Sequence, residues 1–150
     1  MPKFKFPFQN VMAYRKTVEN MAQRDFQEAL ASLTKQQQIL QKMADDVTDA
    51  RESRFQQEVE GSKPMLALGQ VEDFIRGQDI RMEKQRAKIQ EWENRVEELR
   101  EILRLKAIDY KIIEGLRDRK KEQFDIEQRK REQKLLDEMN TMRFRAEGKK

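Results

Sequence analysis

From Ala22 onward, apolar residues recur at alternating steps of four and three: Ala22, Phe26, Ala29, Leu33, Gln36, Leu40, Met43, Val47, Ala50 and Arg54. Eight of these ten positions are apolar, and most of the residues between them are Gln, Lys, Asp, Glu and Ser. A mean period of 3.5 residues is the signature of a coiled-coil seam. Upstream, Val11, Tyr14 and Val18 extend the pattern with one extra four-residue step, a stutter that would locally unwind the supercoil. A second seam runs through Leu68, Val71, Ile75, Gln78, Met82, Gln85, Ile89, Trp92, Val96, Leu99, Leu103, Lys106, Tyr110 and Ile113, with eleven of fourteen positions apolar. Charge pairs at i, i+4, such as Glu91–Arg95 and Glu127–Arg131, are expected to add a few tenths of a kcal/mol each.

Between the seams lies EGSKPMLALG (60–69), which holds the only interior proline. Gly61 suits the position just past a helix C-terminus, and Pro64 is tolerated only near the start of the next helix. Asn10, shortly after Pro7, can cap the first helix. The pattern therefore predicts an all-α fold: two long helices, roughly 10–60 and 68–145, joined by a turn over 61–67 into a single antiparallel coiled-coil hairpin. One helix per chain in a parallel dimer is the alternative. A turn centred on residue 64 would set Val11 opposite roughly residue 117 and Trp92 opposite roughly residue 36. The second helix would then overhang by about 25 residues, or ~38 Å. Phe124, Leu135, Met139, Met142 and Phe144 in that overhang would have no partner in the hairpin. It is either a solvated tail or a helix held by another protein.

Composition narrows the chemistry. Of the 150 residues, 40% are charged and 37% hydrophobic, too lean for a thick globular core. With no cysteine and no histidine, the chain lacks thiolate chemistry, the usual acid–base residue near neutral pH and the commonest metal ligand. Asp45, Asp46 and Asp49 lack the glycine and terminal glutamate of a calcium loop. No phosphate loop or nucleophile elbow is present. The expectation is a protein with no catalytic residues, no cofactor and no metal. MPKFKFPFQN has no apolar run of signal-peptide length, and no eighteen-residue apolar stretch could span a membrane, so a cytoplasmic location is expected.

The formal charge of +4 is unevenly placed. Residues 1–30 carry five Lys/Arg against three Asp/Glu, and residues 115–150 twelve against eight; the stretch between has fifteen against seventeen. In a hairpin both basic ends would lie together and could orient the molecule on an acidic partner. Nucleic acid is disfavoured, because Asp118, Glu122, Asp125 and Glu127 interrupt the basic residues of 117–134.

Two stretches carry a resemblance. FKFPFQNVMAYRKTVENMAQRDFQEAL (4–30) has a short Lys/Phe lead-in, then Tyr14-Arg15, then Ala22-Gln23 and Phe26. AIDYKIIEGLRDRKKEQFDIEQRKREQKLLDEM (107–139) has Ile113-Glu114 and Leu116, then Phe124, then a basic run into Arg131-Glu132-Gln133-Lys134 and Asp137-Glu138. Together they resemble the two ends of the FliJ family, small cytoplasmic components of bacterial flagellar type III protein export. SKPMLALGQ (62–70) has no counterpart in that pattern. The resemblance implies an antiparallel two-helix coiled coil similar to the stalk of rotary ATPases. It also implies binding to the hexameric export ATPase, whose assembly and activity it would promote, to the cytoplasmic domain of the export-gate protein FlhA, and to export chaperones. Such a protein would sit peripherally at the inner membrane through the export apparatus and serve flagellum biogenesis, motility and chemotaxis. Tyr14, Arg15, Phe124, Arg129, Arg131 and Lys134 are the candidates for contact with the ATPase ring. The stalk of a virulence type III system, a generic coiled-coil scaffold and an export chaperone are the other readings.

Overall fold

The computed structural model describes residues 2–61 and 65–148. Helix α1 spans Gln9–Glu60 and helix α2 spans Met65–Gly148, with no strand among the described residues. The fold is all-α, an antiparallel helical hairpin. Helix α2 starts three residues earlier than its seam predicts and runs three residues further. Pro64 and the middle of the expected turn (62–64) lie outside the described residues.

Local chemistry accounts for the helix ends. The Gln9 N–H donates to the Phe6 carbonyl (3.2 Å), closing a four-residue turn with Pro7 in its second position, where a fixed φ is favoured. The Met12 N–H then donates to the Phe8 carbonyl (2.9 Å) as the first helical bond. Asn10 thus lies within the first helical turn and does not cap it. At the other end Gly61 adopts φ 63°, and its N–H donates to the Gln57 carbonyl (3.1 Å). This left-handed residue ends α1, which contains no glycine or proline of its own.

Contacts divide the chain into two compact units, Met21–Arg104 and Met1–Asn20 with Leu105–Lys150. In the first unit, every seam position from Ala22 to Arg54 and from Leu68 to Leu103 is buried or half-buried. Phe26, Leu33, Leu40, Val47, Ile75, Met82, Ile89, Trp92, Val96, Leu99 and Leu103 all belong to this set. One cluster buries Ala29, Val96 and Leu99, with Phe26, Leu30, Leu33 and Trp92 packed around them. The small Ala29 leaves room for the indole beside it.

The polar seam positions are satisfied pairwise. The buried Gln85 amide donates to the Gln36 backbone carbonyl (2.9 Å) and to its Oε1 (2.8 Å). Gln78 Nε2 lies 3.5 Å from the Met43 carbonyl, and Gln78 Oε1 accepts from Arg81 Nε (2.9 Å). Arg54 reaches across to Glu72 (2.7 Å). A buried amide must keep its partner, so these pairs set the register.

That register differs from the one a turn at residue 64 implies. Gln36 faces Gln85, whereas Trp92 packs in the cluster of Ala29 and Leu33. A spin label at Ser32, which lines a groove with Trp92, is therefore expected to quench the indole fluorescence more strongly than a label at Gln36. Equal quenching, measured on the monomer, would refute the observed register.

In the second unit, Met12 and Ile113 are buried together with Phe6, and Phe4, Tyr110 and Leu116 pack on them. The predicted stutter is absent. Val11 and Tyr14 are exposed (40% and 69%), and the four–three rhythm continues back from Ala22 through Glu19, Arg15 and Met12. Two polar residues hold seam positions. Arg15 Nη1 donates to the Asp109 carbonyl (2.9 Å), whereas Glu19 Oε2 is buried without a hydrogen-bond partner, with Lys16 Nζ 3.8 Å away. The expected pairs Glu91–Arg95 and Glu127–Arg131 are also not formed; Arg95 turns to Glu98 instead (3.3 Å).

Candidate partner-binding surface

The second unit carries the features that a partner could read, and they begin where α1 and α2 still pair. Tyr14 stands exposed at the edge of a groove of about 320 Å³, which Val11, Arg15, Val18, Lys106 and Asp109 also line. Its neighbour Arg15 is half-buried and tied to α2 through the Asp109 carbonyl, so it serves first as a staple between the helices. Lys16 lies over the Tyr110 ring, 4.8 Å from its centroid. The Glu114 carboxylate accepts the Tyr110 hydroxyl hydrogen bond and, with partial burial, holds that phenol above its usual pKa.

Phe124 does have an intramolecular partner, contrary to the overhang as drawn from sequence. Its ring meets Phe4 at 5.6 Å and 52°, and it is half-buried. The sequence pattern missed this because residues 2–8 precede α1 and have no helical period. The alternation of Lys and Phe in KFKFPF was the available signal.

Beyond Gln128 the arrangement changes. Every residue from Arg129 to Gly148 is exposed, yet the segment continues α2 for a further ~30 Å. Leu135, Met139 and Met142, spaced four and three apart, share one face of it, and all three are exposed. Leu136 and Phe144 are exposed elsewhere on its circumference. Arg129 Nε makes only a marginal contact with the Asp125 carbonyl (3.5 Å). Among the described residues, no ion pair within 4 Å involves any residue beyond Arg104, so Arg129, Arg131 and Lys134 keep their charge uncommitted. The arm combines a short apolar stripe, unpaired cations and a helix that nothing in the chain covers.

A family model described as "Flagellar FliJ protein" matches residues 4–149, nearly the whole chain. The chain belongs to the FliJ family. No curated protein and no solved structure matches it significantly. Membership of the FliJ family extends the likeness through the middle of the chain, including the SKPMLALGQ stretch that the end motifs left unplaced. It identifies a coiled-coil protein of the flagellar export apparatus. Among the described residues no helix is long and apolar enough to cross a membrane, and no group of His, Cys, Asp or Glu is placed to hold a metal ion.

Proposed function

We propose that this FliJ-family chain is a stalk-like component of flagellar type III export, which binds the hexameric export ATPase and links it to the export gate formed by FlhA. The observation that carries this reading is the wholly exposed helical arm from Arg129 to Gly148. A ring of ATPase subunits can grip a single helix from several sides, each subunit meeting a different face. Arg129, Arg131 and Lys134 would meet acidic groups on the ring, and the Leu135–Met142 stripe would enter its apolar surface. Tyr14 is the further contact on the paired part of the same unit. Phe124 and Arg15 are engaged within the chain, on Phe4 and on the Asp109 carbonyl.

The reading also sets the chain apart from an export chaperone, which would need an apolar groove along its length. Here the seam residues are covered, and the uncovered apolar residues form short stripes, Leu135–Met142 in the arm and Leu105–Ile112 on the paired part of α2, rather than a groove along its length. The direct test is the ATPase rate of the cognate export ATPase with and without the chain. Stimulation supports a stalk, and an unchanged rate leaves a passive scaffold. Changing Arg129, Arg131 and Lys134 together to Glu should abolish most of the stimulation at low salt, and the difference from the unaltered chain should shrink as salt shortens the Debye length from ~30 Å at 0.01 M to ~8 Å at 0.15 M. A salt-independent effect would mean that these cations do not meet opposite charge.

A further inference from the structure

Residues 2–6 lie against α2 without regular secondary structure. Their attachment is unusual in kind. The Phe6 carbonyl accepts from Gln9, and among the described residues no backbone hydrogen bond ties the segment to α2. Instead, phenyl rings hold it. Phe6 is buried (8% exposed) against Met12 and Ile113, and Phe8 meets its ring edge-on at 5.8 Å. Phe4 packs on the same cluster and reaches Phe124. Lys3 and Lys5 alternate with them and are exposed.

From this we infer that residues 2–6 form a releasable strap, whose rings mask Ile113, Leu116 and Phe124 on α2 and can lift while both helices stay folded. Local opening needs few contacts broken and no ladder of backbone bonds, so it requires less free energy than global unfolding. The masked residues are placed to matter. Ile113, Phe124 and Leu135 follow one another at eleven-residue steps, which rotate by only about 20° each around an α-helix. Met142 returns to the same side. Lifting the strap therefore uncovers Phe124 and part of the Ile113 cluster, apolar points on the side of α2 that carries Leu135 further along, with Lys120 and Glu127 beside Phe124. The strap controls how much of α2 is uncovered, with the chain's own residues as occupant.

The absence of native cysteine makes this testable on the full chain alone. Single thiols are placed by Leu116→Cys under the strap, Met142→Cys on the arm and Val96→Cys in the core of the other unit, and their alkylation rates are followed at increasing urea. The strap predicts that Leu116→Cys reacts more slowly than Met142→Cys, at a rate nearly insensitive to low urea. Val96→Cys should instead react only as the whole chain unfolds. Adding Phe6→Ser should speed the Leu116→Cys reaction about tenfold or more, since a buried ring is lost, without changing that of Val96→Cys. Phe4→Ser, a milder change at a half-buried ring, should speed it less. Two results would overturn the inference. One is a Leu116→Cys rate unmoved by both serine variants, and the other is a rate that follows Val96→Cys across the urea series.

Discussion

Leu99→Asp is expected to unfold the Met21–Arg104 unit at ordinary temperature, with a large loss of helical circular dichroism. Leu99 is 7% exposed and sits in one cluster with Ala29 and Val96, under Trp92 and Phe26. Loss of its side chain to alanine would remove about 2–5 kcal/mol on its own. Aspartate adds a carboxylate to a cluster whose other members are all apolar. Arg95 borders the same groove but is paired with Glu98 (3.3 Å), and Arg100 lies over the Phe26 ring at 5.6 Å. The combined effect exceeds about 4 kcal/mol, a large share of what any domain has to lose. An unchanged melting curve would mean that Leu99 faces solvent and that the seam is wrongly assigned.

The second large effect concerns the arm. A chain ending at Gln128 should melt like the full chain, because no residue from Arg129 to Gly148 is buried or half-buried. Under the proposed stalk function, binding to the ATPase ring should fall by at least tenfold, about 1.4 kcal/mol. The cut removes eight Lys/Arg and four Asp/Glu, so lost charge alone could weaken the complex. The variant Leu135→Ser with Met139→Ser and Met142→Ser separates the causes, since it keeps every charge. Binding as weak as that of the truncated chain assigns the contact to the apolar stripe; full binding assigns it to the cations. If the truncated chain still stimulates the ATPase fully, the arm is a solvated tail. A cut five residues earlier, after Gln123, is a poorer experiment, because it also removes Phe124 from beneath Phe4.

The parts of this structure that were legible in the sequence are those whose side chains announce their burial. The α2 seam is of this kind: all fourteen positions from Leu68 to Ile113 are covered, the two glutamines and Lys106 included. The first turns of α1 were not legible, because Arg15 and Glu19 occupy seam positions while the apolar Val11 and Tyr14 face outward. Hydropathy follows residue type, and a long polar side chain that crosses to a carbonyl looks like a surface residue. The register was missed for a related reason. Centring the turn on Pro64 would set Trp92 against Gln36 and Gln85 against Met43, separating the two amides. The observed pairing of Gln36 with Gln85 avoids this, but pairing between amides leaves no trace in periodicity. The exposed arm could be anticipated because α1 is shorter than α2. A partner for the arm could not, because contact with another molecule leaves no mark in this chain's own periodicity.

The left-handed Gly61 has a consequence for how the chain finds this state. Contacts between α1 and α2 close loops whose length grows steadily with distance from that residue. The Gln78–Met43 contact spans 35 residues, Gln85–Gln36 spans 49 and Arg15–Asp109 spans 94. Loop entropy alone makes the last about 0.9 kcal/mol dearer to form first than the nearest, so pairing proceeds outward from Gly61 like a zip. The ends of the chain join last and part first. Fraying from that end would release Phe4 and Phe6 while the interior seam stays closed.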